Sequence, residues 1–194
     1  MVPMLRVMLV DDTQKDVSLL KETLVAAGYE VVAEEKSPAA LLERVGEVQP
    51  DVIIIDTNSP SRDVLEQVVI VSRDDPRPIV MFTDDAGSDT IQSAIRAGVT
   101  AYIVAGMQPE RLQPILEVAQ ARFDADRALR DELKNAQDKL AERKVIEKAK
   151  GILMQQKQIN EEEAYRLLRR EAMNRNLKLL EIAQQVLDVA RLLS

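Results

Sequence analysis

A run of four β-branched residues, Val-Ile-Ile-Ile at positions 52–55, most restricts how this chain can fold. An uninterrupted apolar run of this kind is typical of a strand buried on both faces, as in parallel sheets covered by helices. Four further short runs with strand character occur at residues 5–10, 30–33, 79–82 and 101–104. Helical apolar spacing occurs between them, at residues 17–27, 38–45, 62–72 and 88–97. This alternation predicts an α/β fold, here a flavodoxin-like, doubly wound sheet of five parallel strands.

Acidic and hydroxyl side chains follow three of these strands. Asp11 and Asp12 end the first strand, Asp56 ends the third and Thr83 ends the fourth. In doubly wound sheets, ligands bind at the carboxyl ends of the strands, near the point where the strand order reverses. Carboxylates are ligands that Mg²⁺ accepts, and an aspartate can take a phosphoryl group covalently. The alternative is that these side chains are ordinary solvated loop ends.

This arrangement resembles the receiver domain of response regulators, over about residues 4–121. The resemblance implies that Asp11, Asp12 and Asp56 hold Mg²⁺. It also implies that Asp56 is the phosphoacceptor and that the Thr83 hydroxyl contacts the phosphoryl group. We therefore expect a magnesium site at this edge of the sheet.

One position departs from the receiver pattern. The family's lysine follows the fifth strand, where this chain has Ala105. In the family that cation pairs with the phosphoryl group and helps to signal its presence. Asp84 and Asp85 add negative charge beside Thr83. We therefore expect metal binding to be retained, whereas phosphorylation is not expected to be the working switch.

Beyond Pro109 the chain has helical apolar spacing throughout. Two apolar series follow a 4-3-4 spacing, first Leu112, Leu116, Ala119 and Phe123, then Leu129, Leu133, Ala136 and Leu140. The two series are out of phase by one residue near Asp126. Such a seam predicts a coiled coil with a second copy of the chain, through the helix from Pro109 to Lys148. The alternative is a long helix that the chain's own domains cover.

The end of this predicted helix is amphipathic. At 100° per residue, one arc carries the apolar side chains Val145, Ile146, Ala149, Ile152 and Leu153. The opposite arc carries Arg143, Lys144, Lys148 and Lys150, with Gly151 among them. A glycine inside an exposed helix costs about 1 kcal/mol relative to alanine, and close approach of a partner to the backbone would offset it. The alternative is a solvated basic face with a glycine of no function.

Two further helices follow. Asn160 with Glu163 three residues later predicts a helix start with a capping box. In this helix four residues are expected to face inward, namely Ala164, Tyr165, Leu168 and Ala172, with Arg166, Arg169 and Arg170 on the opposite arc. A strongly apolar last helix spans residues 179–193. Three short helices around one core are the simplest packing.

The spacing of residues 143–186 resembles the ANTAR domain, the helical RNA-binding module of bacterial transcription antiterminators. The pattern runs through Arg143, Ile146, Ala149, Gly151, Leu153 and Met154, then Ala164, Leu168, Arg169 and Met173, then Asn176, Lys178, Leu179, Glu181, Ile182 and Ala183. The resemblance implies binding to leader-RNA hairpins. We expect the contacts to come from the basic groups and the glycine, that is from Arg143, Lys144, Lys148, Lys150, Gly151, Arg166, Arg169, Arg170 and Lys178. Tyr165 either stacks on an unpaired base or, as the spacing favours, lies in the core.

Composition and charge exclude several classes of function. The 194 residues include no Cys and no His, so thiolate metal sites, disulfides and histidine-dependent triads are excluded. Neither a signal peptide nor a membrane span is recognisable, so we expect a cytoplasmic protein. The net charge of −7 divides into +4 from residue 143 onward and −11 before it. The basic part suits a polyanion that the acidic part would repel.

These observations predict three segments: a receiver-like domain at 1–121, an overlapping coiled-coil linker at 110–142 and an ANTAR-like three-helix domain at 143–194. The leading hypothesis is a non-enzymatic antitermination regulator. A phosphorylation-switched DNA-binding response regulator is the alternative, although the tail lacks a recognisable helix-turn-helix glycine turn. An Mg²⁺-dependent phosphohydrolase is a third hypothesis, without an evident general base beyond the carboxylates.

A finer resemblance concerns the segment 53–63, which is similar to the NasT regulators, antiterminators of nitrate and nitrite assimilation operons. It implies control by a nitrate-sensing protein that sequesters the regulator, with the receiver domain as the docking module.

Overall fold

The computed structural model describes residues 5–11, 13, 18–37, 39, 41–104 and 109–192. Their elements in chain order are β1 (Arg6–Asp11), α1 (Ser18–Ala26), β2 (Glu30–Glu35), α2 (Leu41–Val48), β3 (Val52–Thr57), α3 (Arg62–Asp74), β4 (Ile79–Thr83), α4 (Ser88–Ala97), β5 (Ala101–Val104), α5 (Pro109–Lys157), α6 (Glu161–Arg175) and α7 (Leu179–Leu192). By spatial clustering the chain forms one unit up to Arg127 and a second from Ala128.

The first unit is built on a parallel sheet with the strand order β2-β1-β3-β4-β5. Strand β3 lies at the centre between β1 and β4, and residues 52–55 are at most 3% exposed. Its burial on both faces explains why the sequence there shows no alternation of apolar and polar residues. The predicted five-stranded, flavodoxin-like fold is confirmed.

Alternate residues of the strands point to two separate cores. Ile53 and Ile55 belong to a core that includes side chains from α2, α3 and α4. Ile54 belongs to the other, together with Leu24 of α1 and Leu112 of α5. Because side chains alternate across a strand, one apolar run supplies both cores, and the helices cover both faces of the sheet.

Element boundaries agree with the predicted ones where the end signal is local. Helix α4 and strand β5 have the predicted limits, and α4 ends at Gly98, whose φ is +111°. A Cβ at Gly98 would collide with the side chain of Ser72, so only glycine fits there. Helix α2 runs later than predicted, from Leu41 to Val48. The predicted starts at Val17 and Pro38 lie outside the described residues.

Helix α5 is continuous over 49 residues, with Pro114 inside it. Its first turns are covered by the sheet, since Leu112, Leu116 and Ala119 are buried. Farther along, Leu129, Leu133 and Leu140 are 66%, 57% and 54% exposed. The phase change predicted near Asp126 therefore separates a buried apolar series from an exposed one.

The second unit contains the end of α5 together with α6 and α7. The predicted capping box at the start of α6 is present: the Glu163 N–H donates to Asn160 Oδ1 at 2.9 Å, and the Asn160 N–H donates to Glu163 Oε2 at 3.1 Å. Ala149, Leu153, Ala164, Leu168, Ala172, Ile182 and Ala183 form its buried core. Leu193, predicted to continue the last helix, lies outside the described residues.

Three side chains of this unit differ from the predicted burial. Tyr165 is 41% exposed, so its predicted place in the core is wrong. Ile152 is only half-buried, although it was expected on the buried arc. Lys150 is buried, although it was expected on the exposed basic arc. A helical wheel places these side chains at the flanks of the apolar arc, where burial depends on how far the neighbouring helix reaches.

Candidate functional site

The acidic edge of the sheet brings two of the predicted metal ligands together. Asp11 and Asp56 end β1 and β3, which are neighbours, and their Cα atoms are register partners. Asp11 is buried, and its Oδ1 accepts hydrogen bonds from the N–H of Thr13 at 2.9 Å and from the Thr13 hydroxyl at 2.6 Å. Asp12 lies outside the described residues. The parallel register thus confirms the adjacency of Asp11 and Asp56.

The donor chemistry of this edge suits a hard cation. Receiver domains typically bind Mg²⁺ at their phosphorylation site, and two adjacent carboxylates are ligands that Mg²⁺ accepts. Asp11 and Asp56 would hold the ion, together with the predicted Asp12, and the ion would neutralise charge on a phosphoryl group. Within the part of the chain that the structure describes, no three acidic side chains converge as a metal-binding group.

Thr83 lies beside Asp56 but is held in hydrogen bonds. It pairs in register with Thr57, the residue after Asp56. Its Oγ1 donates to the carbonyl oxygen of Asn58 at 2.9 Å and accepts from the N–H of Asp85 at 3.2 Å. A contact between this hydroxyl and a phosphoryl group on Asp56 therefore requires the bond to Asn58 to break.

Asp85, expected only to add negative charge, organises the loops around this edge. Its carboxylate accepts from the N–H of Gly87 at 2.7 Å, from the Ser59 hydroxyl at 2.7 Å and from the Thr90 hydroxyl at 3.3 Å. These hydrogen bonds, with the Gly87 N–H the largest cause, lower the pKa of Asp85. Its backbone carbonyl accepts from the hydroxyl of Tyr102 at 2.9 Å.

The sequence contains one local signal for this role of Asp85. An aspartate two residues before a glycine is typical of an Asx-turn, in which the carboxylate accepts from the backbone two residues later. The bonds to the other loops are tertiary contacts without a sequence signal. Ala105, which stands where the receiver family has its lysine, lies outside the described residues.

The second cluster of predicted site residues is on the end of α5. Arg143, Lys144 and Lys148 are exposed, as expected of a basic surface. Gly151 is half-buried, and a Cβ built there would meet none of the described residues within 4 Å. Packing inside the described chain therefore does not account for a glycine at this helical position, which costs about 1 kcal/mol relative to alanine.

Lys150 does not belong to this basic surface. Its side chain is only 8% exposed, and its Nζ lies 2.6 Å from Glu161 Oε1 and 2.9 Å from Glu147 Oε1. The hydrogen bonds to Glu161 and then Glu147 raise the pKa of Lys150, and the same ammonium lowers the pKa of Glu161. Because Glu161 is the first residue of α6, the pair joins α5 to the start of α6. The expected exposure of Lys150 is therefore wrong.

On α6, Arg166, Arg169 and Arg170 are exposed as expected, and Lys178 before α7 is exposed as well. Arg166 approaches Glu162 at 3.9 Å, a surface pair that contributes little. The structure thus leaves the α6 arginines open to solvent. Whether any of these basic residues contacts RNA stays a prediction.

Family models match both halves of the chain. Residues 7–117 match the response regulator receiver domain, and residues 134–187 match the ANTAR domain. ANTAR domains bind RNA, and receiver domains interact with sensor kinases. Among the described residues, no helix has the length and apolar character needed to cross a membrane.

Individual proteins show the same division. The chain is similar to the transcriptional regulatory protein PdtaR of Mycobacterium tuberculosis H37Rv, with 31% identity over 183 residues, covering 94% of this chain and 89% of PdtaR. The chemotaxis protein CheY1 of Helicobacter pylori 26695 is 34% identical over 119 residues, covering 59% of this chain and 95% of CheY1.

Solved structures match the receiver part. The signal receiver domain of a modulated diguanylate cyclase from Desulfovibrio desulfuricans G20 has a TM-score of 0.56 at 19% identity, covering 63% of this chain and 98% of that one, and supports the fold. CheY4 of Vibrio cholerae has a TM-score of 0.52 at 29% identity, covering 60% of this chain and 98% of that one. The chain belongs to the response regulators that join a receiver domain to an ANTAR domain, which are regulators and not enzymes.

Proposed function

We propose that this protein is a transcription antitermination regulator that binds leader-RNA hairpins through its C-terminal helices. The observation that carries the proposal is Gly151, a glycine in a long helix that lies among exposed basic side chains and lacks a packing reason within the described residues. A partner that approaches the backbone there would offset the cost of the glycine. The neighbouring cations give that partner a negative charge, and the ANTAR match makes RNA the candidate.

We assign RNA contacts to Arg143, Lys144 and Lys148 around Gly151, and to the exposed basic residues of the following segments, namely Arg166, Arg169, Arg170 and Lys178. Lys150 supports this surface from within, since its ammonium pairs with Glu147 and Glu161. We assign residues 1–121 to control, 110–142 to a linker helix and 143–194 to RNA binding.

We also propose that the protein acts as a dimer through α5. Leu129, Leu133 and Leu140 are large apolar side chains at 4- and 7-residue steps, and more than half of each is exposed. Burying such a series against its symmetry mate is the usual function of this spacing. The occupant is a second copy of the chain, because a seam of this kind is self-complementary.

For control, we infer that a protein partner acts through the receiver domain. The replacement of the receiver lysine by Ala105 removes the cation that reads a phosphoryl group. The Thr83 hydroxyl is already engaged with Asn58 and Asp85. The resemblance of residues 53–63 to NasT regulators makes a nitrate-sensing protein the candidate partner and nitrate or nitrite assimilation genes the candidate targets.

The test of RNA binding is a competition between RNA and duplex DNA. A hairpin library with a fixed stem and a randomised eight-nucleotide loop is enriched on the full chain, and its affinity is compared with that of a matched DNA duplex. We expect enrichment and clear preference for the RNA. Preference for the DNA duplex would instead support the DNA-binding response regulator.

Gly151→Leu tests the carrying observation, with Gly46→Leu as the matched control. Both glycines lie in helices, and a Cβ at either would meet none of the described residues within 4 Å. Neither substitution changes the charge. We expect Gly151→Leu to weaken RNA binding while Gly46→Leu does not, and equal affinity of the two folded variants would contradict close backbone approach at Gly151.

A further inference from the structure

We propose that a groove between α5 and α7 receives one unpaired nucleotide of the bound RNA, its base on an apolar floor and its phosphates at a cationic rim. This inference rests on the proposed RNA-binding function and assigns it a subsite. The site includes Arg191, which the sequence did not indicate as a functional residue.

The floor of the groove is apolar. Val145 and Ile152 of α5 face Leu187 and Ala190 of α7, and the enclosed volume is about 480 Å³. Volumes of roughly 300–1,000 Å³ are typical of sites that take small organic ligands, a class that includes a nucleoside. The half-buried Ile152 is thus explained, because it lines this groove and is absent from the helical core.

The rim of the groove is cationic. Lys144 and Lys148 of α5 line it together with Arg191 of α7, and none of the lining residues is acidic. The three cations come from two helices and converge on one apolar surface. Phosphates on both sides of an inserted base would each find a cation within this set.

A neighbouring groove of about 730 Å³ shows why charge selects this one. It also lies between α5 and α7, but its lining includes Asp138, Glu142 and Glu181 and no basic side chain. Val145 and Gln184 line both grooves. A polyanion that follows this surface would be repelled at the acidic end and held at the basic end.

The chemistry of the groove favours an unpaired base. Sequence-specific RNA recognition mostly targets unstacked bases, which combine a flat apolar face with polar edges. The apolar floor suits the face, and the Gln184 amide, held by a 2.9 Å hydrogen bond from its Nε2 to Asp188 Oδ1, presents polar atoms for the edge. A paired base in a helical stem cannot enter. An acidic peptide would match the rim but has no flat ring for the floor.

The experiment uses the full chain and the hairpin pool enriched on it, together with the same hairpins made with abasic loops. Ala190→Phe fills the groove without changing charge. We expect it to weaken binding of the intact loops by about 5- to 100-fold, the usual loss when one stacked base is removed. We expect it to leave binding of the abasic loops nearly unchanged. Ile152→Ala, which removes part of the floor, is the second variant if Ala190→Phe does not fold.

Arg191→Ala tests the rim. We expect it to reduce the slope of log affinity against log salt by about 0.7–0.9 for both intact and abasic loops, since it removes one phosphate contact. Two controls are matched by residue type: Arg130→Ala, at an exposed arginine on α5 about 27 Å along the helix from Lys148, and Ala141→Phe, which lies in the acidic groove. Both controls should bind like the wild type.

The outcomes separate this inference from the proposed function. If the wild type enriches no hairpins, RNA binding and the groove assignment fail together. If hairpins are enriched but Ala190→Phe and Arg191→Ala bind like the wild type, only the groove assignment fails, and the groove is left for another occupant such as an acidic protein segment. If abasic loops bind as tightly as intact ones, the site reads phosphates alone and the base assignment is overturned.

Discussion

Replacing Lys150 by methionine should separate a supporting lysine from one that contacts RNA. Methionine retains an unbranched apolar stem but removes the ammonium, which lies 2.6 Å from Glu161 and 2.9 Å from Glu147. Lys148→Met is the matched control, because Lys148 is two residues away on the same helix but is exposed. The two variants lose the same charge from buried and exposed positions.

The magnitude follows from counting phosphate contacts. Each lost contact reduces the slope of log affinity against log salt by about 0.7–0.9. Lys148→Met should show this reduction, whereas Lys150→Met should leave the slope unchanged, because its ammonium is committed to two carboxylates. A variant that lacks both lysines should lose about one unit of slope rather than two.

The affinity itself should still fall in Lys150→Met. Without the ammonium, Glu147 and Glu161 are left as unpaired negative charges beside the basic surface, and the start of α6 loses its link to α5. Lys150→Met with Glu147→Gln and Glu161→Gln should regain part of the affinity. The assay is fluorescence anisotropy at several salt concentrations. A full unit of slope lost in folded Lys150→Met would refute the supporting role.

Three further predictions concern folding, pH and assembly. Gly98→Ala should destabilise the receiver unit by at least about 1–2 kcal/mol in denaturant unfolding, since φ there is +111°, and wild-type stability would contradict this. Because pairing lowers the pKa of Glu161 from its usual 4.5, its contribution is present above that pH and lost as pH falls through the lowered pKa; Lys150→Met should flatten this acid dependence in thermal melts. Leu129→Asp with Leu133→Asp should yield monomers in sedimentation with RNA, and a monomeric wild type would discard the dimer.

The sequence predicted the sheet and its acidic edge because those features depend on local signals. The apolar run at 52–55 indicates a doubly covered strand, and parallel strands bring Asp11 and Asp56 to one edge whatever the details of packing. The capping box at Asn160 is equally local, since both partners lie within one helical turn.

The sequence failed where the answer depends on a neighbouring helix. Lys150 and Tyr165 lie at the flanks of apolar arcs, and a helical wheel cannot show which flank an adjacent helix covers. Lys150 became buried because α6 begins beside it with Glu161, whereas Tyr165 stayed exposed. Arg191 was missed because its partners in the groove lie more than forty residues earlier in the chain.

The most direct test is the affinity of the unphosphorylated full chain for the enriched hairpins, with and without acetyl phosphate. The same titration with Asp56→Asn serves as the control that cannot accept a phosphoryl group. We predict tight RNA binding without the phosphodonor, unchanged by it in the wild type and equal in Asp56→Asn. A large gain in the wild type that is absent in Asp56→Asn would restore the phosphorylation switch and contradict this account.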